Sequence, residues 1–198
     1  MIVFKNNNDL EPYKKLRELY DLALSKNQLN IEAVLIASFS HEDNEVDSRF
    51  VNLKCINNEK FIFFTNYESP KSKQFASHSQ ISAVIYWNKV DIQIRMKAKI
   101  LKLDTNLSDE HFRNRKKEKN ALAISSKQSQ PIDSYENVKK NFANVMKKEN
   151  LQIRPHYWGG YEFTPYYFEF WSGNKNRINN RESYHFDNEV WVKNFLQP

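Results

Sequence analysis

Four stretches of this chain set chemically capable residues close together. Ser48-Arg-Phe-Val-Asn-Leu-Lys54 holds two cations, Arg49 and Lys54, five positions apart. On one regular strand they face opposite sides, and in isolation they read as anion ligands or as two surface charges. Phe63-Phe-Thr-Asn-Tyr-Glu-Ser-Pro-Lys71 joins a strand to a helix start. It gathers Thr65, Ser69 and Lys71 where helix N–H groups point outward, which suits an anion or plain capping. Arg113-Asn-Arg-Lys-Lys-Glu-Lys119 is the densest charge cluster. It reads as a solvated helix face, a surface that neutralises nucleic-acid phosphates, or a pocket for a small phosphate. Glu169-Phe-Trp-Ser-Gly173, followed by Arg177 and Arg181, reads in isolation as aromatic core and surface charge.

Composition narrows these choices without deciding them. The net charge of +6 favours anionic partners in general, whether nucleic acid, membrane or small phosphorylated molecules. There are only three glycines, Gly159, Gly160 and Gly173. Neither a G-x-x-x-x-G-K phosphate loop nor a G-x-G-x-x-G dinucleotide turn can be built from them, so side chains or helix N-termini must hold any phosphate. The five histidines are scattered without an H-x-x-x-H pair, and one cysteine adds little, so no metal is expected. Cys55, beside Leu53 and Ile56, reads as a small apolar packer. A lone cysteine permits no internal disulfide, which fits a reducing, cytoplasmic setting. No apolar run is long enough for a membrane span, and the first residues lack a secretory pattern.

Positioning these residues falls to a strand-rich chain. The 198 residues, 40% hydrophobic and 14% aromatic, suit a single domain over 1–198, with 1–10 as a loosely ordered arm. Tyr13, Leu16, Tyr20, Ala23 and Leu24 recur at helical spacing between Glu11 and Ser25, behind a Pro12 suited to a first turn. Strands are expected at 33–39, 49–55, 61–65, 81–87, 92–100 and 161–171, with a terminal hairpin around Asp187-Asn188. The alternation of Ile92, Ile94, Met96, Ala98 and Ile100 with Gln93, Arg95, Lys97 and Lys99 is the clearest pattern. A helix is expected from Ser69-Pro70, with Ser69 as its cap, and another from Ser108 through Lys117. Asp133 and Glu136 form a capping box for a third. Pro165 hints at an edge or a bulge. Short connections favour antiparallel pairing.

Taken in order, these segments resemble the pyridoxamine 5′-phosphate oxidase family. The matching pieces are Arg49-Phe-Val-Asn-Leu-Lys54, Phe63-Phe-Thr-Asn66, Ser69-Pro-Lys71, Ile92-Gln93, Ser126-Lys-Gln-Ser129, Tyr157-Trp-Gly-Gly160, Glu169-Phe-Trp171 and Arg177-x-x-x-Arg181. The resemblance runs from about Pro12 to Pro198. It implies a mainly β fold with flanking helices, an FMN-binding split β-barrel with antiparallel strands, and a homodimer with FMN at the interface. Carried over, Arg49, Lys54, Phe64, Thr65, Lys71, Gln93, Gln128, Ser129, Trp171 and Arg181 surround FMN, Phe64 through its backbone. Lys54, His111, Arg115 and Lys119 fall in the substrate-phosphate pocket. Arg177 and Asn179 fall beside the reacting pyridine. The implied activity is oxidation of pyridoxamine or pyridoxine 5′-phosphate to pyridoxal 5′-phosphate with dioxygen as acceptor, without nucleic acid or membrane as partner.

Four positions depart from that family's pattern. Pro70 stands where a phosphate-binding arginine is usual, His111 replaces a tyrosine, Lys119 a serine, and Asn179 a histidine. Lys119 keeps the phosphate pocket cationic. Asn179 hydrogen-bonds but does not titrate near neutral pH as histidine does. Either Asn suffices to position the same substrate or the substrate has changed. The alternatives are therefore a sister flavin oxidase acting on another reduced aromatic of the phenazine type, or a non-enzymatic FMN- or nucleic-acid-binding protein.

Overall fold

The computed structural model describes residues 1–147 and 150–198. Among them, ten strands form one sheet and five helices flank it. The strands are β1 (Val3–Lys5), β2 (Ala33–Ser40), β3 (Glu45–Asn52), β4 (Cys55–Asn57), β5 (Lys60–Asn66), β6 (Gln80–Trp87), β7 (Ile92–Lys102), β8 (Trp158–Ser172), β9 (Asn180–Asp187) and β10 (Val190–Phe195). The helices are α1 (Glu11–Ser25), α2 (Pro70–Ser77), α3 (Thr105–Arg113), α4 (Lys117–Ser125) and α5 (Tyr135–Met146). The sheet runs β1-β4-β5-β8-β7-β6-β2-β3, with β9 also on β8 and β10 on β9. All pairings are antiparallel except β1 with β4.

The long β8 organises this sheet. Its first half pairs with β5 from Phe61↔Phe163 to Asn66↔Trp158, and its second half pairs with β9 from Tyr167↔His185 to Ser172↔Asn180. β7 lies along its other edge, with a register shift between Lys97 and Ala98, opposite Tyr167 and Pro165. The proline thus marks a bulge inside a central strand. β7 buries Ile92, Ile94, Met96, Ala98 and Ile100 and turns its charged residues outward, as its alternation requires. Phe61, Phe163, Phe168 and Tyr13 fill the core with aromatic contacts 5.0–6.4 Å between ring centres. α1 closes it with Tyr13, Leu16, Tyr20 and Ala23, while Leu24 stays 41% exposed, outside the apolar face expected for it.

The chain turns without left-handed glycines. Asn6, Asn27, Asn30, Asn44, Asn58 and Asn188 take positive φ, asparagine being tolerant of that region. Asn188 and Glu189, both at positive φ, close the β9–β10 hairpin where a turn was expected. Gly159 and Gly160 serve close packing instead. A Cβ on Gly160 would meet Leu103 Cδ2 at 2.6 Å, and one on Gly159 would overlap the Tyr67 ring.

Several local expectations need correction. Residues 1–10, expected as a loose arm, carry β1 on the sheet edge and bury Ile2. The strand expected over 49–55 is two strands, broken at Leu53-Lys54, because Leu53 is drawn into the core and its N–H bonds Glu32. The helix expected through Lys117 starts earlier, capped by Asp104, and breaks after Arg113. The cap of α5 is Ser134, accepting from the Asn137 N–H, rather than an Asp133–Glu136 box. Ser69 precedes α2 without a side-chain cap; its hydroxyl donates to the Asn66 carbonyl.

Candidate functional site

Beside the start of β8 lies a cleft of about 490 Å³. Its walls come from the β3–β4 break, the end of β5, the start of α2, the turn after α3, α4 and Gln128. Local contacts hold these pieces in place. The buried Ser108 hydroxyl accepts from the Gly160 N–H at 3.1 Å, tying α3 to β8. Asn120, fully buried, donates to the Phe112 and Leu151 carbonyls, each at 2.9 Å, and so fixes the turn that carries Arg115.

Lys71, 7% exposed, lines this cleft. Its ammonium donates to hydroxyls, Thr65 at 3.3 Å and Ser69 at 3.1 Å. Burial and then the nearby Arg49 pull its pKa down to about 8. The carboxylate acting on it, Asp47, is already paired with Arg49. Thr65 Oγ1 donates to Gln128 Oε1 at 3.1 Å, and the Asn66 N–H donates to the same oxygen at 3.3 Å. Arg49 does not line the cleft directly. Its guanidinium donates to Ser38 at 2.5 Å and to Gln74 at 2.9 Å. Gln128 also lines a second cleft of about 350 Å³ with Ser129, Pro70 and Lys73. A buried ammonium held only by hydroxyls is a costly arrangement that an anion relieves, and it fits a phosphate-bearing group.

Lys54, Arg115, Lys116 and Lys119 share the cleft with Phe64, His111 and Trp158. The three aromatic rings are almost parallel. Phe64 stacks on His111 at 3.7 Å and on Trp158 at 5.4 Å. The Arg115 guanidinium lies 4.4 Å over the Trp158 ring, a cation–π contact. Its Nη1 is buried with no hydrogen-bond partner among the described residues. Burial lowers the Arg115 pKa to about 10. Burial, followed by Arg115, Lys54 and Lys119, lowers that of His111 to about 4, so the imidazole is neutral at pH 7. Lys54 is lowered too, by burial first and then by Lys119. No carboxylate lines this cleft among the described residues. An uncompensated cation cluster with an orphaned buried donor has the chemistry of an anion receptor.

The remaining expected residues stand elsewhere. Gln93 pairs with Trp171, and Trp171 with Arg181, across β7, β8 and β9. Arg181 donates to the buried Glu169 at 2.9 and 3.1 Å, and Arg95 holds the other oxygen at 3.1 Å. Arg177, at φ 60, is exposed on the loop before β9. Asn179 Oδ1 accepts from the Asn174 N–H at 3.0 Å. Thr65 pairs with Gly159 and Gln93 with Trp171, so the two groups are separated by the stretch of β8 from Gly159 to Trp171. At ~3.3 Å per residue that is roughly 40 Å of strand. One chain brings together Lys54, Phe64, Thr65, Lys71, His111, Arg115, Lys119 and Gln128, but not Gln93, Trp171, Arg181, Arg177 or Asn179. Sequence reasoning missed Trp158 as a platform and Gln74 as the partner of Arg49. The Trp158-Gly-Gly160 run, one aromatic before two residues without side-chain bulk, was the available signal for the first.

A family model described as pyridoxamine 5′-phosphate oxidase matches residues 26–148. A second, described as the pyridoxine 5′-phosphate oxidase C-terminal dimerisation region, matches residues 158–198. A pyridoxine/pyridoxamine 5′-phosphate oxidase from Hydrogenovibrio crunogenus is 30% identical over 192 residues, covering 95% of this chain and 88% of that protein. One from Actinobacillus succinogenes is 35% identical over 158 residues, covering 79% and 75%. Among solved structures, PhzG from Burkholderia lata, crystallised with tetrahydrophenazine-1-carboxylic acid, superposes with a TM-score of 0.89 at 24% identity, covering 95% of this chain and 93% of that one. An FMN-binding protein related to pyridoxamine 5′-phosphate oxidase, from Nostoc punctiforme, gives 0.77 at 13% identity, covering 96% and 99%.

Proposed function

Because this chain belongs to the pyridoxamine 5′-phosphate oxidase family, we propose that it is a homodimeric FMN-dependent oxidase that converts pyridoxamine or pyridoxine 5′-phosphate to pyridoxal 5′-phosphate. The observation that carries this reading is the carboxylate-free cationic cleft, which holds both the buried Lys71 ammonium and the orphaned Arg115 Nη1. Several buried cationic donors in one cleft suit phosphate groups, on a cofactor and on a substrate. FMN, when bound, supplies the two-electron sink that accepts hydride from the substrate's exocyclic carbon and delivers the electrons to dioxygen.

The chain's own residues bind and orient. Lys71 and Thr65 hold the FMN phosphate, with Arg49 adding positive potential from behind and Ser129 a hydroxyl from the adjoining cleft. Gln128 and Gln93 meet the polar edges of the flavin ring, Phe64 contributes through its backbone, and Trp171 gives broad apolar contact. Lys54, which lines the same cleft, serves both phosphates. Arg115, Lys119 and His111 complete the substrate-phosphate site. Arg177 and Asn179 sit over the reacting ring, the former as a fixed cation and the latter as a hydrogen-bonding group.

The length of β8 supports a homodimer: Gly159 and Trp171 stand ~40 Å apart along the strand at ~3.3 Å per residue, and a second copy would bring the far group to the same flavin. The matched C-terminal dimerisation region supports this. So does β3, a sheet edge that leaves Val46 72% and Phe50 71% exposed, with Phe50 at the cleft.

The test is direct. Purified protein should release FMN on denaturation and consume oxygen with pyridoxamine or pyridoxine 5′-phosphate. Stoichiometric FAD, or no flavin after reconstitution, removes the FMN assignment. A second reading, an oxidase for another reduced aromatic, is favoured by Asn179, which lacks a titratable ring and whose amide oxygen is already used by the Asn174 N–H. Oxygen uptake with reduced aromatic acids but not with B6 phosphates would establish it instead.

A further inference from the structure

We propose that His111 is a proton-accepting ligand: it takes up a proton as a phosphate dianion enters the cleft and then donates a charge-assisted hydrogen bond to it. The proposal rests on the reading of this cleft as a phosphate-ester site. His111 lies in the last turn of α3, where the helix carbonyls favour a positive charge. Its ring is clamped flat on Phe64, 3.7 Å between centres at 4°, so its polar surface is the nitrogen-bearing edge. The imidazole has no hydrogen bond from the described residues to fix a tautomer or satisfy that edge.

The charges around His111 are of one sign. Lys54 faces it from the β3–β4 break, Arg115 from the turn after α3, and Lys119 from α4. Lys116 and Lys71 line the same cleft. Phe64 of β5 and Trp158 of β8 bring rings without charge. The acids of α3 do not compensate: Asp109 is bound by Arg154, and Glu110 is exposed. Glu32 acts on Lys54. In the ligand-free cleft, burial and these cations hold the imidazole neutral, near pKa 4. A dianion reverses the balance. Its two negative charges offset most of the field of the three cations, and its oxygens offer the N–H an acceptor. The bound state therefore carries one proton more than the free state, and that proton comes from solvent. A tyrosine at this position would donate its own hydroxyl and bind without proton uptake.

Sulfate is the probe, because it is a dianion throughout the useful pH range and brings no proton of its own. Protein incubated with excess FMN is titrated with sulfate by calorimetry in two buffers of different ionisation heat. Wild type should take up a fraction of a proton approaching one, and should bind sulfate up to about tenfold more tightly for each unit the pH falls between about 8 and 5.5. His111→Phe, which keeps the stack, and His111→Tyr should both bind with no proton uptake and a flattened pH dependence, at unchanged melting temperature. The proposal is overturned if wild type binds sulfate without proton uptake, if uptake survives in His111→Phe, or if sulfate does not bind. Oxygen uptake with pyridoxamine phosphate reports separately on the substrate assignment. Proton-linked binding without turnover leaves the inference standing and removes the B6 reading. Turnover without proton uptake does the reverse.

Discussion

Lys71 shows how one residue ties burial to function. Its ammonium is held down to about pKa 8 by its surroundings, well below the usual lysine value of 10.5. In the flavin-free protein the unfolded chain therefore binds more protons than the folded one between about pH 8 and 10.5, so this group's contribution to stability rises with pH across that window. A bound phosphate favours the charged form and reverses the preference. FMN affinity, read by quenching of flavin fluorescence, should accordingly fall as pH rises above about 8. Lys71→Met should weaken binding by about 10- to 100-fold, the worth of a charge-assisted contact, and remove that pH dependence. Unchanged affinity in the variant would contradict the placement of the phosphate. Arg177 and Asn179 test the other end of the chemistry. Arg177→Ala should lower kcat/KM for pyridoxamine phosphate by about 10- to 100-fold with flavin content intact. Asn179→His should keep or raise it. A wild type inactive on B6 phosphates and not rescued by Asn179→His would leave the flavin site with a different guest.

Elements differ in how openly they are written in the sequence. The β7 alternation, the α1 stripe and the β9–β10 turn were legible, because each depends on neighbours two to four residues away. The breaks that shape the cleft were not. Lys54 leaves the strand because Leu53 is pulled into the core, and Arg115 turns inward because a buried Asn120 grips the α3–α4 turn. Nothing local distinguishes Arg115 from Arg113 or Lys117 in a run of cations. The residues gathered around the cleft were legible only through the order of short motifs along the chain. Gly159 and Gly160 illustrate the hidden part, since their role is the room they leave for Tyr67 and Leu103. Gly159→Ala should force Tyr67 from its hydrogen bond to the Gly160 carbonyl, 3.1 Å, and cost about 1–3 kcal/mol in a denaturant titration. A variant as stable as wild type would show that Tyr67 yields without penalty.

At the scale of the whole molecule, the proposed dimer would make each chain half of two sites. Complementation measures this. Lys71→Met damages one half, and Trp171→Ala the other. Unfolding and refolding the two damaged variants together, and assaying at an FMN concentration that does not fill the Lys71→Met site, should return about a quarter of the wild-type sites, those in mixed dimers that pair the two undamaged halves. No recovery, with mixed dimers confirmed by mass, would mean that each chain completes its own site. β8 has a consequence of another kind. It carries Gly159, opposite Thr65, near one end and Trp171, opposite Gln93, near the other, and its pairings with β5, β7 and β9 span the interval. Strand residues paired to their neighbours open cooperatively rather than one by one. Occupancy of either end of β8 should therefore slow amide hydrogen exchange at its paired segments, residues 158–163 and 167–172, so that the strand reports ligand binding far from the atoms the ligand touches.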